Sequence, residues 1–99
     1  MQDDERQALA EWEATLPYAS YYDLLGVDAQ ADSAEIRSAF HEFSRNFHPD
    51  AHATLAREDR QRLEHVFQRG VEAYRALIQP DLRANYDSCL ARGELRLTR

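Results

Sequence analysis

Four histidines (His41, His48, His52 and His65) and one cysteine, Cys89, are the side chains in this 99-residue sequence suited to metal binding or acid–base work near neutral pH. His48 and His52 stand four residues apart, the spacing with which a helix offers two imidazoles to one metal ion. Pro49 lies between them, however, so the pair does not share a helical face, and no cysteine or carboxylate stands at a supporting spacing. A general base also needs a nucleophile within reach, and the sequence shows no Ser/His/Asp or Cys/His constellation. Cys89 has no second cysteine for a disulfide or a multi-cysteine metal site. No catalytic residue, metal site or cofactor is expected, and the chain reads as something other than an enzyme.

Composition narrows the class further. With 43% apolar residues, 99 residues sustain one hydrophobic core and leave no room for a second domain. The formal net charge of -6 opposes the sequence-independent phosphate attraction that dominates nucleic-acid binding. No apolar run approaches the roughly 20 residues of a membrane-spanning helix, and the N-terminus is acidic where a secretory signal is basic. A cytoplasmic protein without nucleic-acid or membrane partners is the expectation, in keeping with the single unpaired cysteine.

The elements that position these residues follow from apolar spacing. Asp3, Asp4 and Glu5 favour a helix N-terminus, and Leu9, Trp12 and Leu16 recur at helical spacing before Pro17, which predicts an amphipathic helix ending near Thr15. A short helical element follows at Tyr21–Leu25, terminated by Gly26. Asp32 or Ser33 can cap a helix whose face carries Ile36, Phe40, Phe43 and Phe47, and Pro49 forces the chain out of helical geometry at His48. A second long helix carries Leu63, Phe67, Gly70, Tyr74 and Leu77 in the same rhythm, so the two stripes should face each other in an antiparallel hairpin. Gly70, inside that stripe, costs about 1 kcal/mol of helix propensity against Ala and is read as a site of close helix approach. Pro80 opens a last helix through Leu82, Tyr86 and Leu90. No alternating strand pattern appears, and the fold class is all-α, with a core of Tyr22, Leu25, Ile36, Phe40, Phe43, Phe47, Leu63, Phe67, Tyr74, Leu77 and Tyr86.

The tip of this hairpin reads His48-Pro49-Asp50, and its surroundings complete a pattern. Tyr21-Tyr22-Asp23-Leu24-Leu25-Gly26-Val27 precedes it, Ala34-Glu35-Ile36-Arg37 and Ala39-Phe40 open the helix before it, and Glu72-Ala73-Tyr74-Arg75-Ala76-Leu77 and Arg83-Ala84-Asn85-Tyr86-Asp87 follow. From about Tyr21 to Asp87 the chain resembles the J-domain of DnaJ-type co-chaperones. The resemblance implies a J-domain at residues 18–93, with a helical extension at 1–17 and a tail at 94–99. It also implies a binding module that engages a DnaK-type ATPase chaperone and promotes ATP hydrolysis on that partner. Residues implied to meet the chaperone are His48, Pro49 and Asp50 in the loop and Arg37, His41 and Arg45 on the preceding helix. Pro49 restricts the loop, His48 offers a donor, an acceptor and a flat ring, and Asp50 can receive a partner Arg. Without zinc-finger cysteines, a Gly/Phe-rich linker or a client-binding region, the sequence is expected to act beside further domains of a longer parent protein.

One departure bears on function. J-domains present a strongly basic face on this helix, whereas His41, Glu42 and Asn46 stand here, with Arg37 and Arg45 balanced by Glu35 and Glu42. The steering field should be weak, which motivates a second reading as a J-like scaffold with weakened or lost chaperone stimulation.

Overall fold

The computed structural model describes residues 3–48 and 55–97, with side chains from residue 6 onward. Five helices follow in order: α1 (Asp3–Thr15), α2 (Tyr21–Leu25), α3 (Ser33–Phe47), α4 (Arg57–Ile78) and α5 (Pro80–Ala91), with a 3-10 turn at Leu16–Tyr18 between α1 and α2. No strand occurs among the described residues, and the architecture is all-α.

Several boundaries have a local cause. Ser20 caps α2 by accepting a hydrogen bond from the Asp23 amide (3.0 Å), while the Asp23 carboxylate accepts one from the Ser20 amide (3.0 Å). The helix ends where Gly26 takes a left-handed φ of 68°, which lets the Val27 amide reach back to the Tyr22 carbonyl at 3.0 Å. Asp32 caps α3 through the same reciprocal box with Glu35. At the far end His48 turns extended (φ −65°, ψ 129°), the geometry required of a residue before proline. Pro80 opens α5 with a single residue, Gln79, between it and the end of α4.

α4 is the hub, touching α1, α2, α3 and α5. Its interior is built from Leu63, Val66, Gly70, Ala73, Ala76 and Leu77. The stripe read from sequence is therefore corrected: Val66, Ala73 and Ala76 take interior places, and Phe67 and Tyr74 are only half-buried. A helix covered from several directions buries a broad face, and apolar spacing alone does not say which edge of that face lies deepest. Phe40 and Phe47, also expected in the core, are likewise half-buried. These four aromatic rings pack along the rim of the α3–α4 seam, where Phe40 stacks on Tyr74 with ring centres 4.3 Å apart. Tyr22, Leu25, Ile36, Phe43, Leu63, Leu77 and Tyr86 are buried.

One fully enclosed aromatic that the sequence did not single out as core is Tyr21, stacked on the equally enclosed Tyr86 with ring centres 4.2 Å apart. The Tyr86 hydroxyl accepts from the Tyr21 amide (2.9 Å) and donates to the Leu95 carbonyl (2.9 Å). The Tyr21 hydroxyl donates to Glu72 (2.5 Å) and accepts from the Leu97 amide (2.9 Å). Arg96 closes the set with a two-pronged pair to Glu72, one arm at 2.9 Å. The segment after α5, left unread in the sequence, is thus laced onto α2 and α4. Burial, reinforced by the bond to Glu72, pushes the Tyr21 phenol from its ordinary 10.0 up to about 12. Burial raises Tyr22 and Tyr86 in the same direction, and Arg96 holds the Glu72 carboxyl below its usual range.

Two expectations follow. A methyl group at Gly70 would lie 2.8 Å or less from three carbons of the Phe43 ring. Gly70→Ala should therefore cost about 1–3 kcal/mol in urea unfolding despite its better helix propensity, and the cost should shrink in a Phe43→Leu background. A stabilised Gly70→Ala protein would refute the close packing. The raised Tyr21 pKa means that the fold favours the neutral phenol, a contribution complete below pH 10.0 and lost as pH climbs toward 12. The melting temperature should fall across that window, and more gently in Tyr21→Phe; identical slopes would contradict the assignment.

Candidate functional site

Arg37, His41, Arg45 and His48 recur at steps of four, four and three along α3 and its C-terminal residue, so they lie on one face of the helix. Arg37, His41 and Arg45 are exposed. Their electrostatics are mixed. The Arg45 guanidinium bonds the Glu42 carboxylate at 2.9 Å on the open surface, an arrangement worth under about 1 kcal/mol to stability but one that offsets part of the positive field of the face. Asn46 and Glu42 are also exposed.

His48 stands where this face meets the loop. Its amide still bonds the Ser44 carbonyl (2.9 Å), closing the last turn, while its ring rests edge-on against Phe67 of α4, with ring centres 5.0 Å apart and planes at 65°. The imidazole is half-buried and packs against a neighbour from the other arm of the hairpin. Sequence reading assigned Phe67 to the core and missed this supporting role; no local signal links positions 48 and 67, which meet only once the hairpin closes. Phe67 in turn packs beside Phe43, and Phe43 beside Phe47, so His48 terminates a ladder of rings along the seam. Pro49 and Asp50 lie outside the described residues, as does His52.

His65 is apart from this face. His65 on α4 meets Glu13 of α1 at 3.0 Å, beside the pairs Arg62–Glu13 (3.6 Å) and Arg6–Asp59 (2.8 Å) that fasten α1 to α4. Among the described residues no group of three His, Cys, Asp or Glu side chains is placed to hold a metal ion, and no helix is long and apolar enough to cross a membrane.

The family model described as DnaJ domain matches residues 20–87. The Chaperone protein DnaJ of Thermoplasma acidophilum is 42% identical over 67 residues, covering 68% of this chain and 17% of that protein. The Chaperone protein DnaJ of a Synechococcus strain is 39% identical over 69 residues, covering 70% and 17%. The Curved DNA-binding protein of Pseudomonas syringae pv. tomato is 33% identical over 72 residues, covering 73% and 21%. The chain thus spans about a fifth or less of the length of these curated relatives. No solved structure matches it.

The ring ladder yields a graded expectation. Phe43→Ala, which empties a buried site, should cost about 3–5 kcal/mol, whereas Phe47→Ala on the rim should cost roughly half as much. Thermal unfolding of the two variants side by side checks the order; equal losses would mean that Phe47 is as enclosed as Phe43.

Proposed function

The chain belongs to the DnaJ domain family, and on that premise we propose that it is a co-chaperone module that binds a DnaK-type ATPase and stimulates its ATP hydrolysis through His48-Pro49-Asp50. The observation that carries this reading is the match over residues 20–87, which encloses the tripeptide, on a hairpin whose first arm ends at His48. The module takes in residues 18–93, with 1–17 as a helical extension and 94–99 as a tail. It works in the cytoplasm, within a longer parent protein, with no nucleic-acid or membrane partner.

No bond is made or broken on this chain. Stimulation is a coupling free energy: the module binds the hydrolysis-competent state of the chaperone more tightly than the resting state, and shifts the population by that difference alone. Asp50 receives an Arg of the chaperone in charge-assisted hydrogen bonds, and Pro49 limits the conformations the loop must give up on docking. His48, braced by Phe67, presents its ring at the junction of loop and helix, and Arg37, His41 and Arg45 extend the contact along α3.

The pairing of Arg45 with Glu42 favours a second reading, a J-like scaffold that retains the fold and couples weakly to the chaperone. Single-turnover ATP hydrolysis by the DnaK-type chaperone of the source organism separates the two. Under the first reading the wild-type domain accelerates hydrolysis, and Asp50→Asn loses that acceleration tenfold or more with its helical circular-dichroism signal intact. Binding without acceleration by the wild-type protein would establish the scaffold reading. An Asp50→Asn variant as active as wild type would show the tripeptide to be idle.

A further inference from the structure

A trough of about 920 Å³ runs between α4 and α5 and reaches Phe67, the ring on which His48 rests. Phe67 and Val71 of α4, Leu82 of α5 and Leu97 of the tail supply its apolar lining, and Arg75 and Arg92 supply its cations. It is a built feature, since the bonds of Tyr21 and Arg96 to Glu72 and of Leu97 to Tyr21 fix the segment that closes one side. The only carboxylate in the lining, Glu72, is the one Arg96 occupies.

The two lining cations are differently held. Arg75 is exposed and forms no ion pair with any described residue. The Arg92 guanidinium lies 3.3 Å from the Cys89 sulfur, at the trough, and 3.2 Å from Glu94, a surface pair with both side chains largely in water. Arg75 stands within a turn of the end of α4 and Arg92 just past the other end of α5, so the cations mark opposite ends of a lining that rises about 15 Å over the ten residues from Leu82 to Arg92. A cationic, apolar-lined trough stands out on a chain of net charge -6, because it offers an acidic partner a local attraction that the net charge opposes.

We propose that this trough is a second docking site, for an amphipathic helix of a partner protein whose apolar stripe is flanked by acidic residues about three turns apart. The apolar lining takes the stripe and the two guanidinium groups take the carboxylates, a helix-in-groove arrangement. The site shares Phe67 with the brace under His48 but does not rest on chaperone stimulation.

The test uses the intact chain and two synthetic probes of roughly 18 residues, long enough to hold helix: a Leu/Ala helix with glutamates about ten positions apart, and the same helix with lysines in their place. Backbone amide shifts locate binding, and titration gives its strength. The glutamate helix should perturb Val71, Leu82 and Leu97, bind at least tenfold more tightly than the lysine helix at low salt, and weaken as salt rises. Arg75→Glu combined with Arg92→Glu should invert that order. Arg75→Gln alone should weaken the glutamate helix severalfold without moving the melting temperature. Equal binding of both helices, shifts on α3 instead of the trough, or no perturbation by either helix would overturn the proposal.

Discussion

The ring of Phe43 fills the space that a side chain at position 70 would need, and that single contact governs how near α3 and α4 approach. A larger residue at position 70 would wedge the two arms of the hairpin apart, because a packed interior transmits such a displacement instead of absorbing it. The seam carries Phe40 on Tyr74 and Phe43 beside Phe67, and at its end His48 rests on Phe67. The imidazole at the head of the loop thus packs on the same seam whose spacing Gly70 and Phe43 set. About 1 kcal/mol of helix propensity is given up at that glycine to secure the geometry.

The other half of the molecule is organised by tyrosine. Tyr21 and Tyr86 stack in the interior, and their hydroxyls bind the backbone of the segment after α5 at Leu97 and Leu95. Glu72 of α4 anchors both Tyr21 and Arg96, so a carboxylate on the hub helix ties the beginning and end of the fold together. α1 is fastened to the same helix by Leu9, which is buried, and by Arg6 on the enclosed carboxylate of Asp59. One helix thus receives the seam, the tyrosine pair, the tail and the N-terminal helix, on different parts of its circumference.

Local chemistry made most of the skeleton legible. The Asp32 cap, the left-handed Gly26 and the break enforced by Pro49 are decided within a few residues, and the helices end where those residues dictate. Depth was less legible. Phe40, Phe47, Phe67 and Tyr74 are large and apolar yet lie on the rim, while Ala73 and Ala76 are interior, a difference that apolar spacing alone does not encode. The tail was opaque for the same reason: Leu95, Arg96 and Leu97 show no periodicity, and their partners at positions 86, 72 and 21 are brought to them only by the folded chain. On the α3 face the side chains were readable in sequence, whereas the brace under His48 was not.

Function on this account is a division of labour between a rigid frame and an exposed face. On the proposed reading the frame holds Arg37, His41, Arg45 and His48 on one line, and that line is the surface a DnaK-type chaperone meets. The account is tested most directly by titrating the isotopically labelled domain with the ATP-bound chaperone and reading backbone amide shifts. It predicts perturbations concentrated on Arg37, His41, Arg45, His48 and Asp50, with α5 silent. Perturbations confined to α5 and the tail, or none at a concentration where hydrolysis is stimulated, would contradict it.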